Sequence, residues 1–314
     1  MACWDILGKD RDRPVWALLG GRMNDRVRAY TYLYPLPHHD INGFWNNADQ
    51  AAESAVAAVE QGYTAVKFDP AGPYTLRGGH MPAMSDISRS VEFCKTIRNA
   101  VGDRADLLFG THGQFTTAGA IRLGTALEPY SPLWFEEPIP PDNFAEMARV
   151  AHAVTTPVAT GERLTTKAEF AEVLRTGAAS ILQPALGRCG GIWEAKKIAI
   201  IAEAYNAQMA PHLYAGPVEW AANVHLSVSI PNTLIAETIE TPFHAALIKS
   251  SITVENGYIH APTAPGLGID FDEELARAHP FDDDGHHLHL KMQEAPCSYQ
   301  EENTFVGGAP PVTE

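Results

Sequence analysis

At 314 residues the chain has room for one large barrel or two ordinary domains, and its 45% hydrophobic content is that of a packed globular protein, not a disordered tail. The formal net charge of −15 excludes a broad nucleic-acid or anionic-membrane surface, because those partners need clustered Lys and Arg, so an anionic substrate must be held by a local positive site. Cys3, Cys94, Cys189 and Cys297 form no C-x-x-C pair, and no apolar run approaches the roughly 20 residues of a membrane helix; a reducing cytoplasm is the expected location.

From about Val27 the sequence alternates short β-rich runs with longer amphipathic stretches, the pattern of repeated βα units on a parallel sheet. The predicted strands are Val27 to Tyr34, Ala65 to Phe68, Leu107 to Phe109, Leu133 to Phe135, Val158 to Thr160, Ser180 to Leu182, Gln208 to Ala210 and Leu234 to Ala236. Between them the spacing predicts helices over Asp49 to Gln61, Ser88 to Ala100, Ala118 to Leu127, Lys167 to Arg175 and Trp193 to Asn206. Eight strands with helical crossovers point to a closed barrel. Beyond them, Ser251 to Ile259 reads as strand and turn, Ala261 to Gly268 as a loop, and the stretch with His286, His287 and His289 as a solvated polar loop.

Functional residues of such a barrel come from the C-terminal ends of its strands. Five of those ends are polar: Lys67-Phe68-Asp69-Pro70, Gly110-Thr111-His112-Gly113-Gln114, Glu136-Glu137-Pro138, Gly161-Glu162-Arg163 and Pro211-His212. Any one acidic residue there is more often a cap or a surface charge, but Glu136 and Glu162 fall at the same depth on adjacent strands. A barrel would bring their carboxylates together, where they need a cation, and oxygen ligands favour Mg²⁺ over zinc.

Taken together, Trp134-Phe135-Glu136-Glu137-Pro138, Thr160-Gly161-Glu162, Gln183-Pro184 with Gly190-Gly191-Ile192, and Pro265-Gly266-Leu267-Gly268-Ile269 resemble the mandelate racemase/muconate lactonizing enzyme subgroup of the enolase superfamily, and within it the galactonate-dehydratase-like sugar-acid dehydratases. The resemblance implies an α/β fold, a (β/α)7β TIM-like barrel with an α+β capping domain. It also implies a Mg²⁺ ion that stabilises the enediolate formed when the proton α to a carboxylate is removed. Glu136 and Glu162 match two metal ligands, whereas the third-strand aspartate corresponds to Gly110, leaving water, a substrate oxygen, His112 or a weakened or absent metal. His212 matches the general base and His112 the acid that protonates the departing β-hydroxyl.

Two further departures bear on the chemistry. Ala185 stands where an aspartate orients the seventh-strand histidine, and Asp69 replaces the second lysine of a racemase-type Lys-x-Lys pair, so Lys67 stands alone. Lys67, Asp69, Arg163, Glu237 and His38 are the expected substrate-binding residues, with His39 and His80 as weaker candidates.

The start of the chain, Ala2 to Gly21, resembles the last helix of the family's capping domain. That divides the chain into residues 1–24 as a remnant of the cap, 25–245 as the catalytic barrel, and 246–314 as a closing segment, with earlier lid residues belonging to the full protein. The expected activity is dehydration of an aldonate or aldarate to a 2-keto-3-deoxy acid by a homo-oligomeric enzyme that binds a small sugar acid. The alternatives are a cycloisomerase opening an anhydro-sugar acid, and an inactive ligand-binding scaffold suggested by Gly110 and Ala185.

Overall fold

The computed structural model describes residues 1–40, 43–69, 71, 79–239 and 241–280. Pro70, Cys297, the histidines at 286, 287 and 289, and the last part of the 246–314 segment lie outside the described residues. The strands are β1 (Arg26–Tyr32), β2 (Ala65–Phe68), β3 (Asp106–Gly110), β4 (Trp134–Glu136), β5 (Val158–Thr160), β6 (Ile181–Leu182), β7 (Gln208–Met209), β8 (Ala236–Thr238), β9 (Ile248–Ser250), β10 (Val254–Glu255), β11 (Tyr258–His260) and β12 (Ile269–Phe271). The α-helices are α1 (Ala2–Asp10), α2 (Val15–Leu18), α3 (Ala48–Glu60), α4 (Met84–Val101), α5 (Thr117–Leu127), α6 (Phe144–Ala153), α7 (Lys167–Thr176), α8 (Ile192–Ala204), α9 (Pro217–Val228), α10 (Pro242–Leu247) and α11 (Glu273–Ala278). No helix among the described residues is long and apolar enough to cross a membrane.

The described residues form two compact units, one of Met1–Thr31, Gln61–Thr64 and Ala159–Pro280, the other of Tyr32–Glu60 and Ala65–Val158. In the second unit β2, β3 and β4 run parallel, with Lys67 opposite Leu108, Phe68 opposite Phe109, Leu108 opposite Trp134 and Gly110 opposite Glu136. Because side chains alternate across a strand, this register sorts the residues into two faces. Phe68, Phe109 and Phe135 share one face, with ring centroids 5.9 and 5.6 Å apart along the row, and each is buried. Such rings contribute about 1.5–3 kcal/mol apiece by burial. Lys67, Gly110, Trp134 and Glu136 share the other face, which carries the polar groups. Helix α3 packs on α4 through small residues, with Ala51, Ala52, Ala55 and Ala58 buried.

In the first unit β5, β6 and β7 are parallel neighbours, and β8 pairs parallel with β1, setting Glu237 opposite Tyr30. Between β5 and β6, α7 starts at a capping box in which Thr166 and Glu169 satisfy each other's backbone N–H groups. The N-terminal residues dock on the Pro-Gly loop: the Leu267 N–H donates to Asp5 Oδ1 at 2.8 Å, and the Trp16 indole N–H donates to the Pro262 carbonyl at 2.7 Å. The backbone N–H of Trp16 donates to Nδ1 of His225, which is fully buried on α9.

Burial pushes His225 down to about 4, because a charged imidazole there would lose its hydration. Folded His225 is therefore neutral at pH values where an unfolded histidine, titrating near 6.5, takes up a proton. Its contribution to stability is complete above pH 6.5 and is lost as pH falls toward 4. At about 1.4 kcal/mol per pH unit the loss is about 3 kcal/mol. Chemical denaturation across that window should show this component in the parent protein, and His225→Asn should flatten it.

Candidate active site

The polar face of the second unit is organised by one ion pair. Lys67 Nζ lies 2.5 Å from Glu136 Oε1, with both side chains only 2% exposed. Trp134, two residues before Glu136 and so on the same face of β4, donates its indole N–H to Glu136 Oε2 at 3.0 Å. Both carboxylate oxygens are thus engaged by donors from the protein itself. The lysine stem reaches Glu136 by passing over β3 at Gly110, where a Cβ would sit 3.2 Å from Lys67 Cε. That separation is shorter than normal carbon–carbon contact, so any side chain at 110 would press on a lysine that is buried and held at its tip.

Beside this pair, His112 Nδ1 bonds to Asp69 Oδ2 at 2.8 Å, with the Asp69 side chain 1% exposed and the imidazole 28% exposed. Both residues follow the strands whose faces they extend. The backbone that presents His112 is strained: His112 has φ 54° and Glu137 φ 38°, left-handed values costing about 1–3 kcal/mol each in non-glycine residues. Cross-strand bonds hold that shape. The Gly113 N–H donates to the Glu137 carbonyl at 2.7 Å, and the Thr111 hydroxyl lies 2.8 Å from the carbonyls of both Glu136 and Glu137.

A second polar cluster belongs to the first unit. His212 Nδ1 lies 3.3 Å from Glu237 Oε2 and 3.5 Å from Glu162 Oε2, all three side chains being largely buried. Glu237 Oε2 also accepts the Leu213 N–H at 2.7 Å, while Asn223 on α9 donates to the His212 carbonyl at 3.0 Å, so the end of β7 is pinned from both sides. Ala185 is buried and offers no carboxylate, so Glu237 and Glu162 are the acids that face His212 here. Gly161, between Thr160 and Glu162, has φ 141° and would carry a Cβ 2.6 Å from the Phe170 ring, so only glycine lets β5 turn Glu162 where it stands.

The remaining expected residues are placed elsewhere. Arg163 is exposed just past β5. His38 is exposed and bonds to Glu53 at 2.9 Å, while buried His39 bonds to the other oxygen of Glu53 at 3.0 Å. Hydrogen bonds from His39 first, then His38, hold the Glu53 carboxyl below its ordinary value. These ligand atoms lie within 4.8 Å of one another, but His39 Nδ1 accepts the Leu36 N–H at 3.1 Å. That leaves the proton on Nε2, the atom a metal would need, and favours a carboxylate clasp over a metal site. Burial lowers His80, favouring its neutral form, and raises the Cys189 thiol to about 12, which keeps that thiol from ionising near neutral pH.

A divalent cation on this face would need carboxylate oxygens from successive strands. In the second unit the donor set does not fit one: Gly110 supplies no ligand, and both oxygens of Glu136 already accept bonds from Lys67 and Trp134. Breaking a buried pair from one side strands a charge, at a cost of about 3–5 kcal/mol. Lys67→Met should therefore destabilise the protein by that order in denaturant unfolding, and adding Glu136→Leu should recover most of the loss. Equal destabilisation in the double variant would mean that packing of the lysine stem, rather than charge, is what the pair contributes.

Comparison with known proteins places this geometry in a family. Residues 50–275 match the family model described as enolase C-terminal domain-like. The chain is 37% identical over 280 residues to a D-gluconate/D-galactonate dehydratase of Picrophilus torridus, spanning 88% of this chain and 68% of that protein. It is 34% identical over 285 residues to a D-xylonate dehydratase of Haloferax volcanii, spanning 89% and 68% respectively. Among solved structures, a mandelate racemase/muconate lactonizing enzyme from Sulfitobacter sp. superposes with a TM-score of 0.91 at 76% identity, covering 95% of this chain and 75% of that one. The α/β barrel of that superfamily is the fold class of this chain. The chain belongs to the enolase superfamily, in its mandelate racemase/muconate lactonizing enzyme subgroup.

Proposed function

We propose that the protein dehydrates a sugar acid, an aldonate or aldarate, to a 2-keto-3-deoxy acid. The carrying observation is the bond between His112 and the buried carboxylate of Asp69. At the position where a racemase-type Lys-x-Lys pair needs a second lysine as base, this chain has a carboxylate committed to an imidazole. That pairing suits a proton donor and removes one of the two bases racemisation requires. The reading is supported by relatives whose names are those of gluconate, galactonate and xylonate dehydratases.

In this mechanism His212 takes the proton α to the substrate carboxylate, and the electron pair forms an enediolate. The β carbon–oxygen bond then breaks, with His112 delivering a proton so that water leaves, and the enol tautomerises to the 2-keto acid. With Nδ1 of His112 bonded to Asp69, delivery runs through Nε2, and Asp69 acts as a positioning residue that fixes the ring. Glu237 and Glu162 place negative charge within 3.5 Å of Nδ1 of His212, which favours the imidazolium formed when the ring takes the proton. Superfamily members generally bind Mg²⁺, which would neutralise enediolate charge when bound; Glu162 is the ligand candidate in this reading, whereas Glu136 is engaged by Lys67 and Trp134. The same proposal takes the enzyme to be a cytoplasmic homo-oligomer acting on a free small molecule.

A library of aldonates and aldarates assayed for 2-keto acid release should yield at least one substrate. On that substrate His112→Asn should lower product formation by about 10²–10⁴-fold, the usual contribution of a positioned acid, while α-proton exchange with D₂O persists. His212→Asn should abolish both reactions. Equal loss of exchange and elimination in His112→Asn would remove the histidine from the acid role. Asp69→Asn should give a smaller loss that appears as an altered pH profile, which a merely structural carboxylate would not produce.

A further inference from the structure

We propose that the Lys67 ammonium takes the place of a divalent cation as the counter-charge of Glu136, and that Gly110 is the residue that makes room for it. Three observations converge on one face of β2, β3 and β4. The ammonium lies against one oxygen of Glu136 at 2.5 Å, and the Trp134 indole occupies the other at 3.0 Å. Lys67 and Glu136 are each 2% exposed, so their charges neutralise each other in a setting where an unpaired carboxylate is not sustained. Directly across the ladder from Glu136, Gly110 has no side chain, and the space its Cβ would enter is filled by the lysine stem 3.2 Å away.

The absence of a carboxylate at 110 and the position of Lys67 are therefore one feature, not two. A carboxylate there would collide with the stem, and a cation between the strands would collide with the ammonium. Lysine suits the exchange because its charge is a compact point on a long flexible stem, able to travel from β2 across β3 to β4. The Tyr32 ring stands 5.9 Å from the ammonium and adds a further face favourable to positive charge. The consequence is that the counter-charge of Glu136 comes with the fold and is not acquired from solution. The inference stands on the geometry of the pair and is independent of which sugar acid is the substrate.

The test is direct binding of Mn²⁺ to the intact protein, followed by the electron paramagnetic resonance of the free ion. In the parent protein, Glu136→Gln should leave Mn²⁺ binding unchanged, since Glu136 is not available to the ion. Lys67→Met should create or tighten a site by at least about tenfold, and Lys67→Met with Glu136→Gln should lose that gain. A parent protein whose Mn²⁺ binding weakens tenfold or more in Glu136→Gln would overturn the proposal. So would a folded Lys67→Met variant with no gain. If Lys67→Met fails to fold, the comparison of the parent protein with folded Glu136→Gln decides alone, because glutamine keeps the shape of the side chain and, through its one oxygen, one of the two accepted hydrogen bonds.

Discussion

A buried carboxylate must be neutralised, and how this chain neutralises Glu136 sets the shape of everything around it. The lysine that does so comes from β2, crosses β3 and ends on β4, tying three parallel strands together on their polar face. On the opposite face the same strands are tied by Phe68, Phe109 and Phe135. The apolar row supplies stability without regard to partner geometry, whereas the ionic row demands one arrangement. That demand reaches the sequence at Gly110, where a side chain would press on the lysine stem along its path.

The same strand ends carry the groups proposed to react, and their bonding accompanies the strain that collects there. His112 and Glu137 sit in left-handed backbone conformations that β3 and β4 hold through the Thr111 hydroxyl and the Gly113 N–H. A ring presented on strained backbone and clasped by a buried aspartate has little rotational freedom to lose when it meets a substrate. In the other unit the histidine is steadied differently, by two glutamates and by an asparagine on α9 that holds its carbonyl. The two histidines thus stand in unlike surroundings, which is the condition for giving one an acid role and the other a base role.

Much of the element order was legible because the strands are short, buried and apolar. Ala65 to Phe68 and Val158 to Thr160 are read to the residue, and the family motifs at Glu136 and Glu162 mark two strand ends. Strand β8 runs Ala236–Thr238 rather than Leu234 to Ala236, because the ladder with β1 begins at Ala236 and extends into polar Glu237 and Thr238. Helix α9 shows no polar face, since residues 221–228 are all buried, and therefore no 3.6-residue period to read. Helix α6 did leave a signal: Asn143 accepts the N–H of Glu146, the cap pattern of an asparagine followed three residues later by an acid. What spacing could not show is pairing across strands. Nothing in the sequence ties Lys67 to Glu136 or Asp69 to His112, although a lone lysine and a glycine in a ligand position were both in view.

The account turns on which cation Glu136 holds, and a crystal structure of the intact protein grown in millimolar Mn²⁺, with anomalous data collected at the manganese edge, reads that directly. The account predicts Lys67 Nζ within hydrogen-bonding distance of Glu136 Oε1 and no anomalous peak beside that carboxylate. A manganese peak coordinated by Glu136, with the Lys67 side chain turned away over Gly110, would contradict it.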